Sequence, residues 1–149
     1  MNNKIIIING PNINLLGERE QSQYGSITFE KLEENCLTKA KELDLTIEFA
    51  QSNVEGELVN IIQKSRKDFE GMIINAAAFT HTSVAIRDAL DIFKKPIIEV
   101  HISNIYKREE FRKKSLISDI VTGGIFGLGV ESYILAIISM QKLLKNENK

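Results

Sequence analysis

Three observations predict an α/β fold, a parallel sheet with helices on both faces. Strand-like and helix-like patterns alternate along the 149 residues, the strand-like runs are almost continuously apolar, and turn signals separate them. Runs such as Ile5-Ile6-Ile7-Ile8 suit strands covered on both sides, because parallel strands joined by crossover helices have no solvent face. The length fits one domain, residues 1–149, large enough to bury about 70% of its unfolded surface.

The elements follow in order. A first strand is expected over Ile5–Ile8, followed by a long connection and a helix whose apolar stripe is Phe29, Leu32, Cys36, Ala40 and Leu43. A second strand over Thr46–Ala50 leads to a helical stripe from Val54 to Ile62, and a third, Met72–Asn75, to Ala85, Ile86, Ala89, Leu90 and Phe93. Lys94-Lys95-Pro96 stops that helix, with cations at its carbonyl end and a proline beyond. The fourth strand is expected over Ile97–Val100 and a short fifth near Ile120-Val121, with a last helix from about Glu131 to Leu144. Gly123-Gly124, Gly127 and Gly129 read as a turn and close packing before it; their spacing is not GxGxxG, and no P-loop lysine and serine follow. Right-handed crossovers then produce a flavodoxin-like three-layer sandwich of strand order 2-1-3-4-5.

Composition narrows the partners. A formal charge of −1 with acids and bases interleaved supplies no basic stripe for nucleic acid or an anionic membrane. Four apolar residues after Met1-Asn2-Asn3-Lys4 are too few for a secretory segment, and no run approaches a membrane span, so a cytoplasmic protein is expected. The single cysteine, Cys36, falls on a core stripe and reads as a packing residue. Two histidines twenty residues apart, without HExxH or CxxC, are a weak metal signal, and there is no GxSxG elbow.

The chemistry concentrates after the strands. The stretch from Asn9 to Ser26 far exceeds the usual two to six residues of a strand-to-helix connection, which marks a lid or binding loop. It carries Arg19 and Tyr24, bracketed by Gly17 and Gly25, which can absorb the rotations of a closing flap. In this fold the groups after strands one, three and four gather at one edge: Asn9 and Asn12, then Asn75 and His81, then Glu99, His101, Ser103 and Asn104. A lone loop histidine is more often an ordinary hydrogen-bonded residue. Glu99 and His101, two apart on one face of a strand, make a better case: the carboxylate can orient the imidazole and stabilise its protonated form. A guanidinium beside a phenol favours phenolate; using a phenol as base near neutral pH takes about 4 kcal/mol of such preference. The run Arg108 to Lys114 reads as a solvated helix face, with Arg112 the exception that could return a fork to a substrate carboxylate. Phenolate, imidazolium, amides and an arginine suit proton abstraction beside a carbonyl and loss of a protonated leaving group.

Six blocks carry a resemblance over nearly the whole chain. They are Asn9-Gly10-Pro11-Asn12 through Glu20 with Tyr24-Gly25, Gln51 to Gly56, Ile74 to Ala78 with Thr80 to Ser83, Glu99 to Asn104, Arg108 to Arg112, and Gly127-Leu128-Gly129. Together they resemble type II 3-dehydroquinate dehydratase. The resemblance implies cofactor-free, reversible dehydration of 3-dehydroquinate to 3-dehydroshikimate, by anti elimination through an enolate. It implies Tyr24 as base, Arg19 tuning it, Asn12 stabilising the enolate, and His101 protonating the departing hydroxyl. Asn75, His81, the backbone at Ile102, Ser103 and Arg112 would bind substrate. Asp88 matches a position that reaches a neighbouring subunit's site, in trimers built into a dodecamer. Two departures stand out: Gln21 where the family commonly has proline, and Glu131-Ser132 where it has a glycine. Two other classes share the fold, an electron carrier and an inactive binding module. The carrier would want a short Ser/Thr/Gly phosphate cradle after strand one, and the binding module has no need of Tyr24, Arg19 and His101 together.

Overall fold

A computed structural model describes residues 3–147; Met1 and Asn2, on which part of the leader reading rests, lie outside them. Five strands, β1 (Lys4–Asn9), β2 (Thr46–Gln51), β3 (Gly71–Asn75), β4 (Ile97–His101) and β5 (Gly123–Phe126), form one sheet in the order β2-β1-β3-β4-β5, every pair parallel. The helices are α1 (Gln21–Tyr24), α2 (Phe29–Glu42), α3 (Glu55–Asp68), α4 (Val84–Phe93) and α5 (Glu131–Glu147). Two caps fix helix starts as their sequences suggest: Thr28 Oγ1 accepts the Lys31 amide, and Ser83 Oγ accepts that of Ile86.

Alternation along the strands divides the core. Ile5, Ile7, Ile73, Ile98 and Val100 face α2 and α5, with the stripe Leu32, Cys36 and Ala40 packed on them. Ile6, Ile8, Met72, Ile74 and Ile97 face α3 and α4, against Leu58, Ile62, Ile86, Ala89, Leu90 and Phe93. Cys36 is fully buried and its thiol is pushed up to about 12, chiefly by that burial, so it is inert packing as expected. Among the described residues, no helix is long and apolar enough to cross a membrane.

The fifth strand is the correction. It runs over Gly123–Phe126, through two of the glycines read as a turn, whereas Ile120 and Val121 close a turn by donating their amides to the Ile117 carbonyl. Ile117, Ile120 and Val121 are apolar because they pack on the α3/α4 side of the core, which imitates a strand signal. The real strand lies at the sheet edge and pairs with β4 alone, where little side-chain burial is demanded. Gly127 and Gly129, with φ of 85° and 64°, do form the turn into α5.

Candidate active site

Register brings the strand ends together: Asn9 lies beside Gln51 on one side and Asn75 on the other. The chain leaves β1 through Gly10, whose amide donates to the Asn75 carbonyl at 2.7 Å, and a Cβ there would sit 2.5 Å from the Ala76 carbonyl oxygen. Only glycine permits that approach. Asn12 follows in the left-handed region, φ 70°, a conformation asparagine tolerates better than most residues. Its amide donates to Asn53 Oδ1 at 2.9 Å, and Gln51 Nε2 bridges to the Gly10 carbonyl and to Asn53.

The long connection is pinned before it reaches α1. Ile13 and Leu16 anchor it in apolar contacts, and a 3-10 turn over Ile13–Leu15 leads to Gly17, φ 91°, and then α1. Gln21 supports that turn by donating from Nε2 to the Gly17 carbonyl at 2.9 Å, a bond that proline could not make.

α1 delivers Tyr24 between two guanidinium groups. Arg19 Nη2 donates to the phenol oxygen at 3.4 Å, and its carbon lies 4.4 Å from the ring centroid. Arg108 is nearer: Nη1 donates to the same oxygen at 2.6 Å and to Ser103 Oγ at 3.3 Å, while Nη2 meets Glu20 at 3.5 Å. Two guanidinium groups therefore converge on one phenol oxygen. Arg108 was expected on a solvated helix face. It instead follows a 3-10 turn over Ile105–Lys107 and precedes another over Glu110–Lys113, and this break in helical periodicity turns its side chain inward, to 6% exposure.

Glu99 and His101 project from one face of β4 and both are buried. Burial works to raise the Glu99 carboxyl, but bonds from His101, Ser118 and Ser115 outweigh it and hold the group below the ordinary glutamate value. An ionised carboxylate only accepts, so His101 Nε2 donates to Oε2 at 2.5 Å and Nδ1 is the ring nitrogen left for other partners. His81 stacks against His101 with ring centroids 6.4 Å apart. Its Nδ1 lies 2.7 Å from the Lys114 carbonyl, which can only accept; neutral His81 therefore presents Nε2 as an acceptor. Burial, above all, pushes His81 below the ordinary histidine value, against the pull of that carbonyl.

A cavity of about 110 Å³ is lined by Asn12, Arg19, Tyr24, Asn75, His81, His101, Ile102, Ser103, Arg108 and Arg112. Asn75 is held from both sides: Nδ2 donates to the Tyr133 hydroxyl at 2.9 Å, and Oδ1 accepts the Ala77 amide at 3.1 Å. Tyr133, fully buried, donates its own hydroxyl to Asn9 Oδ1 at 2.6 Å. Arg112 reaches the cavity while paired through Nε with Glu109. The Ile102 carbonyl is occupied by the Gly129 amide at 3.0 Å. Asp88 stands apart, exposed on α4 and outside this chain's own cavity. Among the described residues, no three His, Cys, Asp or Glu side chains are placed to hold a metal ion.

The Dehydroquinase class II family profile matches residues 3–141. The chain belongs to that family. The 3-dehydroquinate dehydratase of Endomicrobium trichonymphae is 52% identical over 141 residues, covering 95% of this chain and 99% of its own. The enzyme of the same name from Campylobacter lari is 47% identical, covering 97% and 91%. The solved type II dehydroquinase of Butyrivibrio crossotus superposes with a TM-score of 0.91 at 42% identity, covering 93% of this chain and 97% of that one. Ser132 is fully buried, and its Oγ accepts the Leu128 amide at 3.3 Å.

Proposed function

We propose that this chain dehydrates 3-dehydroquinate to 3-dehydroshikimate, the shikimate-pathway reaction of its family, with Tyr24 as base and His101 as acid. The observation that carries the reading is one cavity lined both by Tyr24, whose phenol oxygen is gripped by Arg108 and Arg19, and by His101, whose imidazole is backed by Glu99. The phenolate takes the C2 proton, the electrons move onto the neighbouring carbonyl as an enolate, and Asn12 at the mouth of β1 stabilises the oxygen that gains charge. His101 then protonates the departing hydroxyl from Nδ1, while Glu99 balances its charge. The two groups act on opposite faces, as anti elimination requires.

Binding falls to the remaining lining. His81 Nε2 accepts from a substrate hydroxyl, and Asn75, Ser103 and the backbone at Ile102 take the others. Arg112 exchanges Glu109 for the substrate carboxylate, its planar fork matching either partner. Asp88 serves a neighbouring subunit's site, in cytoplasmic trimers assembled into a dodecamer; its exposure on α4, beside the inward-facing stripe Ile86, Ala89, Leu90 and Phe93, leaves it available for that contact. Adding 3-dehydroquinate to purified protein and following ultraviolet absorbance tests the reaction, since the product is a conjugated enone. A rising absorbance is expected, and a flat trace at high enzyme concentration would refute it.

A further inference from the structure

Glu99 sits deep behind the catalytic imidazole, its side chain 4% exposed, and a buried carboxylate is costly unless its lone pairs are filled. They are filled by a loop outside the family blocks named above. Ser118 Oγ donates to Oε1 at 2.5 Å, and Ser115 Oγ donates to Oε2 at 3.1 Å, the oxygen that also holds His101. Ser115 has no freedom to point elsewhere. Its oxygen accepts the amides of Ile117 and Ser118 at 3.2 and 3.0 Å, which consumes its lone pairs and leaves the hydroxyl proton for Glu99.

The loop carrying these serines is anchored on all sides. Ile117 is fully buried, the Leu116 amide donates to the Thr80 carbonyl at 2.8 Å, and Arg87 Nη1 donates to the Leu116 carbonyl at 2.8 Å while pairing with Asp119. The carbonyl of Lys114, one residue ahead of Ser115, is the one that fixes His81. One segment therefore backs both histidines of the site.

We propose that Ser115 and Ser118 are positioning residues for the acid step: a clamp of two hydroxyl groups that holds the Glu99 carboxylate aimed at His101. The inference rests on the assignment of His101 as proton donor. The other groups facing this pair are His81, stacked on His101, and Arg112, which acts on His81; the Arg87–Asp119 ion pair closes the loop from outside. Without the clamp, burial raises the Glu99 carboxyl unopposed by these donors, so Glu99 gains its proton at a higher pH than in the wild-type protein.

The test is the pH profile of kcat for Ser115→Ala, Ser118→Ala, their double variant and Ser118→Thr. A hydrogen bond to a charged group shifts an equilibrium about tenfold or more, and water refills part of the exposed Ser118 position, so the double variant is expected to lose about tenfold in kcat with its acid limb about one pH unit higher. KM stays near wild type, and Ser118→Thr, which keeps the hydroxyl, restores the profile. If the double variant fails to fold, Ser118→Ala at its exposed position carries the test, its acid limb moving upward and that of Ser118→Thr not. Profiles superimposing on wild type, or losses that Ser118→Thr shares in full, would overturn the clamp. A 13C titration of the Glu99 carboxyl reads the clamp without catalysis: if the wild-type chain failed to dehydrate 3-dehydroquinate, the assigned reaction would fall while this titration still judged the serines.

Discussion

Replacing Arg108 by methionine keeps much of the stem and removes the guanidinium closest to the Tyr24 oxygen. The bond lost is 2.6 Å long, against 3.4 Å for Arg19, and its donor is 6% exposed, so solvent screens it little. A hydrogen bond to a charged group contributes about 1.5–3 kcal/mol. If Tyr24 carries negative charge when it acts, that loss falls on the catalytic step and lowers kcat about ten- to a hundredfold, each 1.36 kcal/mol being a factor of ten. The same substitution also frees Glu20 and Ser103, which loosens the lid and raises KM by a smaller factor. Initial rates from the enone absorbance, with thermal melting to confirm the fold, measure both parameters. A folded Arg108→Met protein with kcat within about twofold of wild type would show that the short contact has no part in making the base.

Three further outcomes are expected. Tyr24→Phe removes only the ionisable oxygen and should lower kcat by about a hundredfold or more while substrate still binds, as equilibrium titration would show. Glu99→Gln acts through pH. Because the Glu99 carboxyl lies below its ordinary value in the folded protein, its contribution to stability is in place above the unfolded value and is lost as pH falls through the folded one; the Gln variant should show a flatter decline of Tm with acid. Asp88→Ala should raise KM more than it lowers kcat, and charge substitutions that split the oligomer should cost activity with every own-chain group intact; a fully active monomer by size-exclusion chromatography would refute the shared site.

The parts of this site legible in the sequence are those that the parallel sheet itself positions. Apolar runs located β1, β3 and β4, and once the strands are parallel, Asn12, Asn75, His81 and His101 must meet at one edge. Glu99 and His101 were paired by the period-two rule alone, and the structure joins them. What escaped depends on contacts between segments without a period. Arg108 is hidden in a run of charges, and only the change between two 3-10 turns reveals which one points inward. Ser115 and Ser118 act across a loop on a strand sixteen and nineteen residues away, and two serines carry no local signal of that. Tyr133 falls in the mostly apolar last helix, and its hydroxyl ties Asn9 to Asn75 without any local signal of that role. The edge strand β5 was missed because its glycines speak for a turn, and the only strong demand on them is the backbone ladder with β4.

The reaction divides between a base that makes the enolate and an acid that collapses it. Incubating His101→Ala and Tyr24→Phe with 3-dehydroquinate in deuterated water, and following the C2 proton by NMR, separates the two steps. His101→Ala should exchange that proton for deuterium without releasing product, because Tyr24 still forms the enolate, whereas Tyr24→Phe should leave the proton in place. Exchange catalysed by Tyr24→Phe, or exchange lost in His101→Ala despite bound substrate, would contradict the division of roles.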